Sequence, residues 1–373
     1  MSLQFDIIAK DGRARTGVLH TPHGDVHTPT ITTNFTPALL RSQLNPSDLR
    51  PLGIELILIN AFHAHGSGVK DAHQELGWVG PILSDSGGFQ MVSLAGYSRV
   101  HRNGVKFFWD NRWHNLTSEQ VTQWQKDMGV DIIMPLDKVT HVLGKNPLKF
   151  WDSVFATKRW FRRSYSISPE RTFYIVQGGL NYQARSFSLR DARHWLADGT
   201  PGVAIGGLAG GEDRQAMYQM VQFCTDRLPV GKPRHLFGIG TPKDLLEGIE
   251  RGIDTFDCVA HTREGRHGRL WTSHGILDLA YNRHAKDGSV IEMGCDCPIC
   301  ARGITRAELI NDISHYSDTD SKERQDQRVQ AWRNCMLHNV RFIARLMGQS
   351  REAIQEGRFL DFKKEFLEKF CQR

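Results

Sequence analysis

The stretch Arg171-Thr172-Phe173-Tyr174-Ile175-Val176-Gln177-Gly178-Gly179 is a short apolar run that stops on an amide side chain and two glycines. The same pattern recurs along the chain. Glu55–Ile59 runs into Asn60, Val130–Leu136 into Asp137, Val203–Ile205 into Gly206-Gly207, His235–Ile239 into Gly240, and Gly252–Phe256 into Asp257. Helix-like segments intervene at Ser118–Met128, Tyr182–Trp195, Glu212–Arg227 and Pro242–Arg251. Thr117 or Ser118 can cap the first of these, and Pro242 suits the first turn of the last. Such alternation predicts parallel strands joined by crossover helices. A doubly wound sheet concentrates its site near one switch in strand order, whereas here the polar endings follow many strands. A (β/α)8 TIM barrel brings the carboxyl ends of all its strands to one mouth, and that is the expected fold.

Working outward from these strand ends, the run Asp85-Ser86-Gly87-Gly88-Phe89-Gln90 follows the apolar-rich Pro81-Ile82-Leu83-Ser84. It sets an ionisable carboxylate before paired glycines, where a planar polar ligand can lie against bare backbone and share a proton with the acid. An isolated Asp at a strand end is often only a turn or a cap. Three of them, Asp85, Asp137 and Asp257, with Gln177 and two Gly-Gly pairs, point to chemistry. One carboxylate can attack a sugar anomeric carbon, another can move a proton to or from the base, and a third can accept hydrogen bonds from a purine-like heterocycle. Thr262-Arg263-Glu264-Gly265-Arg266-His267-Gly268-Arg269 reads as a basic, glycine-containing loop suited to phosphates, or else as a solvated charge run. Lys158-Arg159-Trp160-Phe161-Arg162-Arg163 is open to two readings, a stacking, cationic surface or a helix face over the core.

At 373 residues, with 40% hydrophobic and 24% charged side chains, the chain has the composition of a globular protein with a large core. No apolar run is long enough to span a membrane, and the N-terminus lacks the pattern of a secretory signal; both predict a cytoplasmic protein. A net charge of +6 suits a polyanionic partner without demanding one. Seven cysteines, an odd number, argue against a disulfide framework. Three of them fall in Cys295-Asp296-Cys297-Pro298-Ile299-Cys300, a tight set of thiolates that predicts a structural Zn²⁺ site of Cys₃His type. Either His315 or His338 supplies the fourth ligand. Downstream come Ile304–Ile313 and the charge-rich stretch His315–Gln327. From about Arg328 to Met347 follows an amphipathic helix marked by Val329, Trp332, Met336, Val340, Ile343 and Met347. The expected organisation is a barrel over residues 1–290, a zinc-binding subdomain with its long helix over 291–350, and a C-terminal segment, 351–373, packing on the barrel.

Taken in order, these motifs closely resemble those of the tRNA-guanine transglycosylase family, also called queuine tRNA-ribosyltransferases. The matching runs are DSGGFQ at 85–90, VQGG at 176–179, AIGGLAGGE at 204–212, GIGTP at 238–242, RGIDTFDCV at 251–259, TREGR at 262–266, CDCPIC at 295–300 and LHNVRF at 337–342. The resemblance spans most of residues 15–350. It implies a (β/α)8 barrel with a zinc subdomain, His338 as the last zinc ligand, and exchange of guanine for a 7-deazaguanine at the wobble position of tRNA carrying a GUN anticodon. Carried onto this chain, Asp257 is the nucleophile at ribose C1′ and Asp85 the general acid/base. Asp137, Gln177, Gly207 and Leu208 contact the heterocycle and Phe89 stacks on it. Arg263 and Arg266 hold the RNA. The resemblance also implies a homodimer, with a related-subunit heterodimer as the alternative.

The incoming base is queuine or preQ1. Typical bacterial members, which use preQ1, have Phe-Asp-Glu-Cys at the third carboxylate, where this chain has Leu136-Asp137-Lys138-Val139. They carry Ala-Val-Gly-Glu where this chain has Ala209-Gly210-Gly211-Glu212. Val139 and Gly210 therefore favour the bulkier queuine. Lys138 departs from both patterns and sets a cation beside Asp137. Ala260-His261 replaces a bulkier residue and proline, and the long interval from Cys300 to His338 implies an insertion around His315–Gln327.

Overall fold

The computed structural model describes residues 3–35, 44–91, 97–140, 147–280, 284–313 and 321–371. Strands β1 (Gln4–Asp11), β2 (Ala14–Thr21) and β3 (Gly24–Thr28) form an antiparallel sheet. Eight further strands form one parallel sheet: β4 (Thr30–Phe35), β5 (Ile57–Asn60), β6 (Ile82–Asp85), β10 (Ile132–Ile133), β11 (Tyr174–Val176), β12 (Val203–Ile205), β13 (Arg234–Leu236) and β14 (Thr255–Asp257). Its spatial order is β10-β6-β5-β4-β14-β13-β12-β11. The two end strands meet in a single parallel bridge between Ile133 and Thr172, with Ile133 N on Arg171 O at 2.9 Å and Phe173 N on Ile133 O at 3.0 Å. The result is a TIM-like, barrel-shaped sheet whose seam is one bridge wide.

Side-chain alternation explains why such short strands hold together. Leu58, Leu83, Ile132, Ile175 and Ala204 pack inward as one cluster, while Ile57, Ile59, Tyr174, Val176, Val203 and Ile205 pack outward under the helices. Leu3, Leu19 and Val26 of the N-terminal region join the inner cluster, so the β1–β3 sheet covers the amino-terminal end of the barrel. Buried Arg15 on β2 fastens this cover: its Nε donates to Asp254 Oδ1 at 2.8 Å, just before β14. Arg15 looked uninformative in the sequence.

The expected helices appear with boundaries moved by a few residues: Ser118–Asp127, Tyr182–Ala197, Arg214–Thr225 and Pro242–Glu250. Thr117 caps the first through a reciprocal pair with Gln120 (3.2 and 2.9 Å). Between β6 and β10 stands an antiparallel meander, β7 (Ser98–His101), β8 (Gly104–Trp109) and β9 (Arg112–Thr117). The Lys158–Arg163 segment lies on helix Pro147–Tyr165 with Trp160 and Phe161 fully buried, which selects the core-covering reading. Two of its four cations are paired, Lys158 with Asp191 and Arg163 with Glu119, while Arg159 and Arg162 are exposed.

Two further expectations change. Residues 262–269 are not a loop. They form the end of helix Ala260–Arg266 and the start of β15 (Arg269–Thr272), which pairs with β16 (Gly275–Asp278). The cause is Gly265: a Cβ there would lie 2.8 Å from Met336 Cα, so glycine lets this helix press against the long C-terminal one. That long helix spans Lys322–Gln355, well beyond the expected Arg328–Met347, because Ser321 caps it and its buried face continues to Ala353 and Ile354. Much of the expected insertion, including His315, falls in residues 314–320, outside the described residues.

Candidate active site and metal centre

Asp85 is the last residue of β6, and Asn60, the last of β5, lies beside it in register. Asn60 caps helix Ala61–Gly66 by accepting from His63 N at 3.2 Å, and its Nδ2 donates to Asp85 Oδ2 at 3.1 Å. The chain then turns through Gly87, at φ +82°, where a Cβ would sit 2.6 Å from Phe62 Cβ. At Gly88 a Cβ would crowd Asp137 O at 3.1 Å and Oδ1 at 3.4 Å. Both glycines are thus required for the Asp85 turn to approach Asp137. Phe89, next along, is 51% exposed, unusual for a phenylalanine and available to stack.

Beyond β10 the chain leaves the sheet and delivers Asp137, which accepts from Gln177 Nε2 at 2.5 Å. The other amide atom, Gln177 Oε1, is buried without a hydrogen-bond partner among the described residues. A Cβ at Gly206 would lie 2.6 Å from Gln177 Nε2, and one at Gly207 (φ +68°) 2.5 Å from Gln177 Oε1. The second Gly-Gly pair therefore lets β12 close on this amide. An unpaired buried acceptor of this kind calls for a donor supplied by a ligand. Lys138 does not accompany Asp137. Its ammonium pairs with Asp152 on helix Pro147–Tyr165, so the cation expected beside the carboxylate points away from it.

Asp257 ends β14. Its Oδ1 accepts from Gly238 N at 3.0 Å and lies 3.1 Å from His235 Nε2. The carboxylate can only accept, so His235 carries its proton on Nε2 and its Nδ1 accepts from Thr255 Oγ1 at 2.9 Å. His235 of β13 and the backbone of Gly238 just beyond it thereby hold the carboxylate, and Thr255 holds the imidazole. His235 is fully buried. Nothing in the sequence singles it out beyond a His in a strand three places before a Gly-Ile-Gly turn.

The carboxylates share one electrostatic environment. Burial first, then repulsion from Asp137 and Asp257, push Asp85 up to about 7 from its ordinary 3.8. Burial raises Asp137 to about 6 despite the opposing Gln177 bond. A carboxyl poised near neutrality can both give and take a proton.

Arg185 was also missed. It is fully buried on helix Tyr182–Ala197 and donates to the carbonyls of Val176 (2.8 Å), Gly179 (2.8 Å) and Gly206 (2.7 Å). It thus joins the backbones on either side of Gln177 and next to Gly207. Leu208 has its side chain in the core, which leaves only its backbone for a ligand. Val139 is half-buried, and Gly210 is exposed, its N–H donating to Glu212 at 2.9 Å. Arg263 is exposed and Arg266 half-buried on helix Ala260–Arg266. His261 on that helix is wholly buried, lies 3.2 Å from Thr33 Oγ1, and is pushed down to about 4 by burial, so it is neutral and turned to the core.

Cys295, Cys297, Cys300 and His338 converge, all four buried. Their sulfurs lie 3.9, 3.3 and 3.8 Å from His338 Nδ1, against roughly 3.5 Å for S and N ligands of one tetrahedral zinc. His338 Nε2 donates to Trp271 O at 2.9 Å, which fixes the tautomer and aims the Nδ1 lone pair at the sulfurs. The donor set fits a closed metal site.

The family model described as Queuine tRNA-ribosyltransferase matches residues 10–372. Among curated relatives of that name, the protein of Herpetosiphon aurantiacus is 36% identical, over 96% of this chain and 91% of its own length. That of Francisella tularensis subsp. novicida is 36% identical, over 98% of each chain. That of Dictyoglomus turgidum is 36% identical, over 99% of this chain and 95% of its own. The chain therefore belongs to the queuine tRNA-ribosyltransferase family of transglycosylase enzymes.

Proposed function

We propose that this protein exchanges the wobble guanine of a GUN-anticodon tRNA for a 7-deazaguanine base through a covalent ribosyl-aspartate. Asp257 attacks ribose C1′ as the bond from C1′ to guanine N9 breaks, and Asp85 gives the leaving base its proton. The incoming base then loses a proton to Asp85, its N9 attacks C1′, and the ester to Asp257 breaks to return the carboxylate. Two displacements retain the configuration at C1′. Asp137, Gln177, Gly207 and the Leu208 backbone read the polar edge of the base, Phe89 stacks on it, and Arg263 and Arg266 hold the RNA. An anticodon loop offers an unstacked base at low cost.

The observation that carries this reading is the pairing of a carboxylate held rigid by His235 and Gly238 with a second carboxyl poised near neutrality. A purely RNA-binding partner subunit needs neither. The eight parallel strands support a (β/α)8 barrel with its seam at Ile133–Thr172, and the four-ligand geometry supports a structural Zn²⁺. We take residues 1–290 as barrel, 291–350 as zinc subdomain and 351–373 as a segment packed on the barrel, in a cytoplasmic homodimer. No described helix is long and apolar enough to cross a membrane.

Val139 and Gly210 favour queuine over preQ1. The test offers labelled guanine, preQ1 and queuine separately to the purified protein with unmodified tRNA. Incorporation of queuine, with loss of both exchange and the denaturation-resistant RNA adduct in Asp257→Asn, is the expected result. Normal exchange by Asp257→Asn refutes the mechanism, and preQ1 without queuine refutes the base assignment.

A further inference from the structure

Three side chains that the base exchange leaves unused meet at the opposite end of the barrel. They are His23 in the β2–β3 turn, His73 in the short helix Ala72–Leu76, and Asp131, which immediately precedes β10. Asp131 Oδ2 accepts from Ile82 N, the first residue of β6, at 2.8 Å. Asp85 ends that same strand, so the cluster lies about 10 Å away along it, at the amino-terminal face.

A backbone hydrogen bond orients the His73 ring. Its Nδ1 is 3.0 Å from the carbonyl oxygen of Trp78, which only accepts, so Nδ1 carries the hydrogen. In the neutral ring Nε2 then presents a lone pair. That nitrogen is buried, makes no hydrogen bond, and lies 3.7 Å from Asp131 Oδ2. A lone pair facing a carboxylate oxygen in this way is an arrangement that a cation between them would stabilise. The gap is too long for an N–H···O bond. It is close to the separation of two N and O ligands on one ion, roughly 3.4–3.6 Å for bonds of about 2.0–2.2 Å.

His23 completes the set. Its Nδ1 is 2.8 Å and its backbone N 3.3 Å from Asp131 Oδ1, and its ring stacks on His73 with centroids 3.7 Å apart. The side chain is 39% exposed on a tight turn, so the imidazole can rotate to offer a ring nitrogen to the same ion. Asp131 is fully buried and held by backbone N–H groups, which pre-orients the carboxylate. Two imidazoles and one carboxylate suit zinc, cobalt or nickel better than calcium or magnesium.

We propose that His23, His73 and Asp131 form a second divalent transition-metal site, separate from the cysteine cluster, with water completing its coordination on the His23 side. A bound ion there fastens the N-terminal sheet to the floor of the barrel.

The test is a Co²⁺ titration of protein whose cysteine cluster already carries its metal. The expected result is one further equivalent per chain, seen as visible d–d absorption without a thiolate charge-transfer band and displaced by Zn²⁺. His23→Gln, at an exposed position, and His73→Gln should each weaken that equivalent at least tenfold while metal at the cysteines is unchanged. Absence of a second equivalent, or a second equivalent that both variants bind as tightly as the parent, overturns the assignment.

Discussion

Asp85 is held in a state that works against folding at neutral pH. Its carboxyl is raised to about 7 and that of Asp137 to about 6, whereas both titrate near 3.8 in the unfolded chain. Between those values the folded protein binds more protons than the unfolded one, so stability falls as pH rises through the window. The favourable contribution is complete below about pH 4 and gone above about pH 7. Asp85→Asn removes the charge that must be buried, so its melting temperature should exceed the parent's by a few degrees near pH 8, with the difference vanishing toward about pH 4. Scanning melts across that range checks this, and a pH-independent offset would mean that ionisation is not its source. The same substitution should slow base exchange severely. Gly210, proposed above to favour the larger base, should make the opposite kind of contribution by leaving room. Gly210→Val should cut kcat/KM for queuine by about 10–200-fold, the range for methyl-sized discrimination, while guanine exchange stays within about threefold. Competitive labelling with the two bases separates the outcomes.

At the scale of elements, the glycines and polar residues after each strand were legible because parallel strands buried on both faces must be apolar throughout. Their first polar residue therefore marks the mouth. That reasoning put Asp85 and Asp257 at the ends of β6 and β14, with Gln177 and Gly206-Gly207 directly after β11 and β12. It overextended the Val130–Leu136 strand, of which only Ile132–Ile133 pairs, because the later residues leave the sheet to bring Asp137 to Gln177. The β7–β9 meander went unread although Asn103-Gly104 and Asp110-Asn111, the latter at φ 50° and 59°, carry the signature of tight hairpins. His235 and Arg185 were invisible for another reason: His235 meets side chains on the next strand, Thr255 and Asp257, and Arg185 meets only backbone carbonyls, so no local pattern announces them. Helix Ala260–Arg266 shows how one small residue sets an element's place. Gly265→Ala forces its Cβ into the Met336 backbone, so it should destabilise by about 1–3 kcal/mol and displace Arg263 and Arg266. Denaturant unfolding should show the loss. The KM for tRNA should rise while guanine affinity holds, and an unchanged tRNA KM would detach this helix from RNA binding.

Across the whole molecule, the cysteine cluster and the barrel mouth are joined by two adjacent residues of the long helix. His338 reaches the cysteines with Nδ1 and Trp271 O with Nε2. Asn339 accepts from Trp271 N at 2.9 Å and donates to the carbonyls of His261 (3.0 Å) and Arg269 (2.9 Å). These bonds hold β15 and the arginine-bearing helix against the long helix, which a metal at the Cys₃His cluster would in turn tie to the Cys295–Cys300 turn. Arg341 reinforces that tie through Asp296, with Nε on Oδ1 at 2.8 Å. A closed metal site contributes folding energy directly, so removing the ion should loosen this region before the parallel sheet. Treatment with a strong chelator should lower the melting temperature and raise hydrogen exchange across residues 284–313 and 260–272. Tyr174–Val176 and Val203–Ile205 should stay protected. On the role proposed for Arg263 and Arg266, affinity for tRNA should fall several-fold more than affinity for the free base, because their helix depends on the clamp. Uniform loss of protection would place the metal under the whole barrel, and unchanged tRNA affinity would sever the cluster from the RNA face.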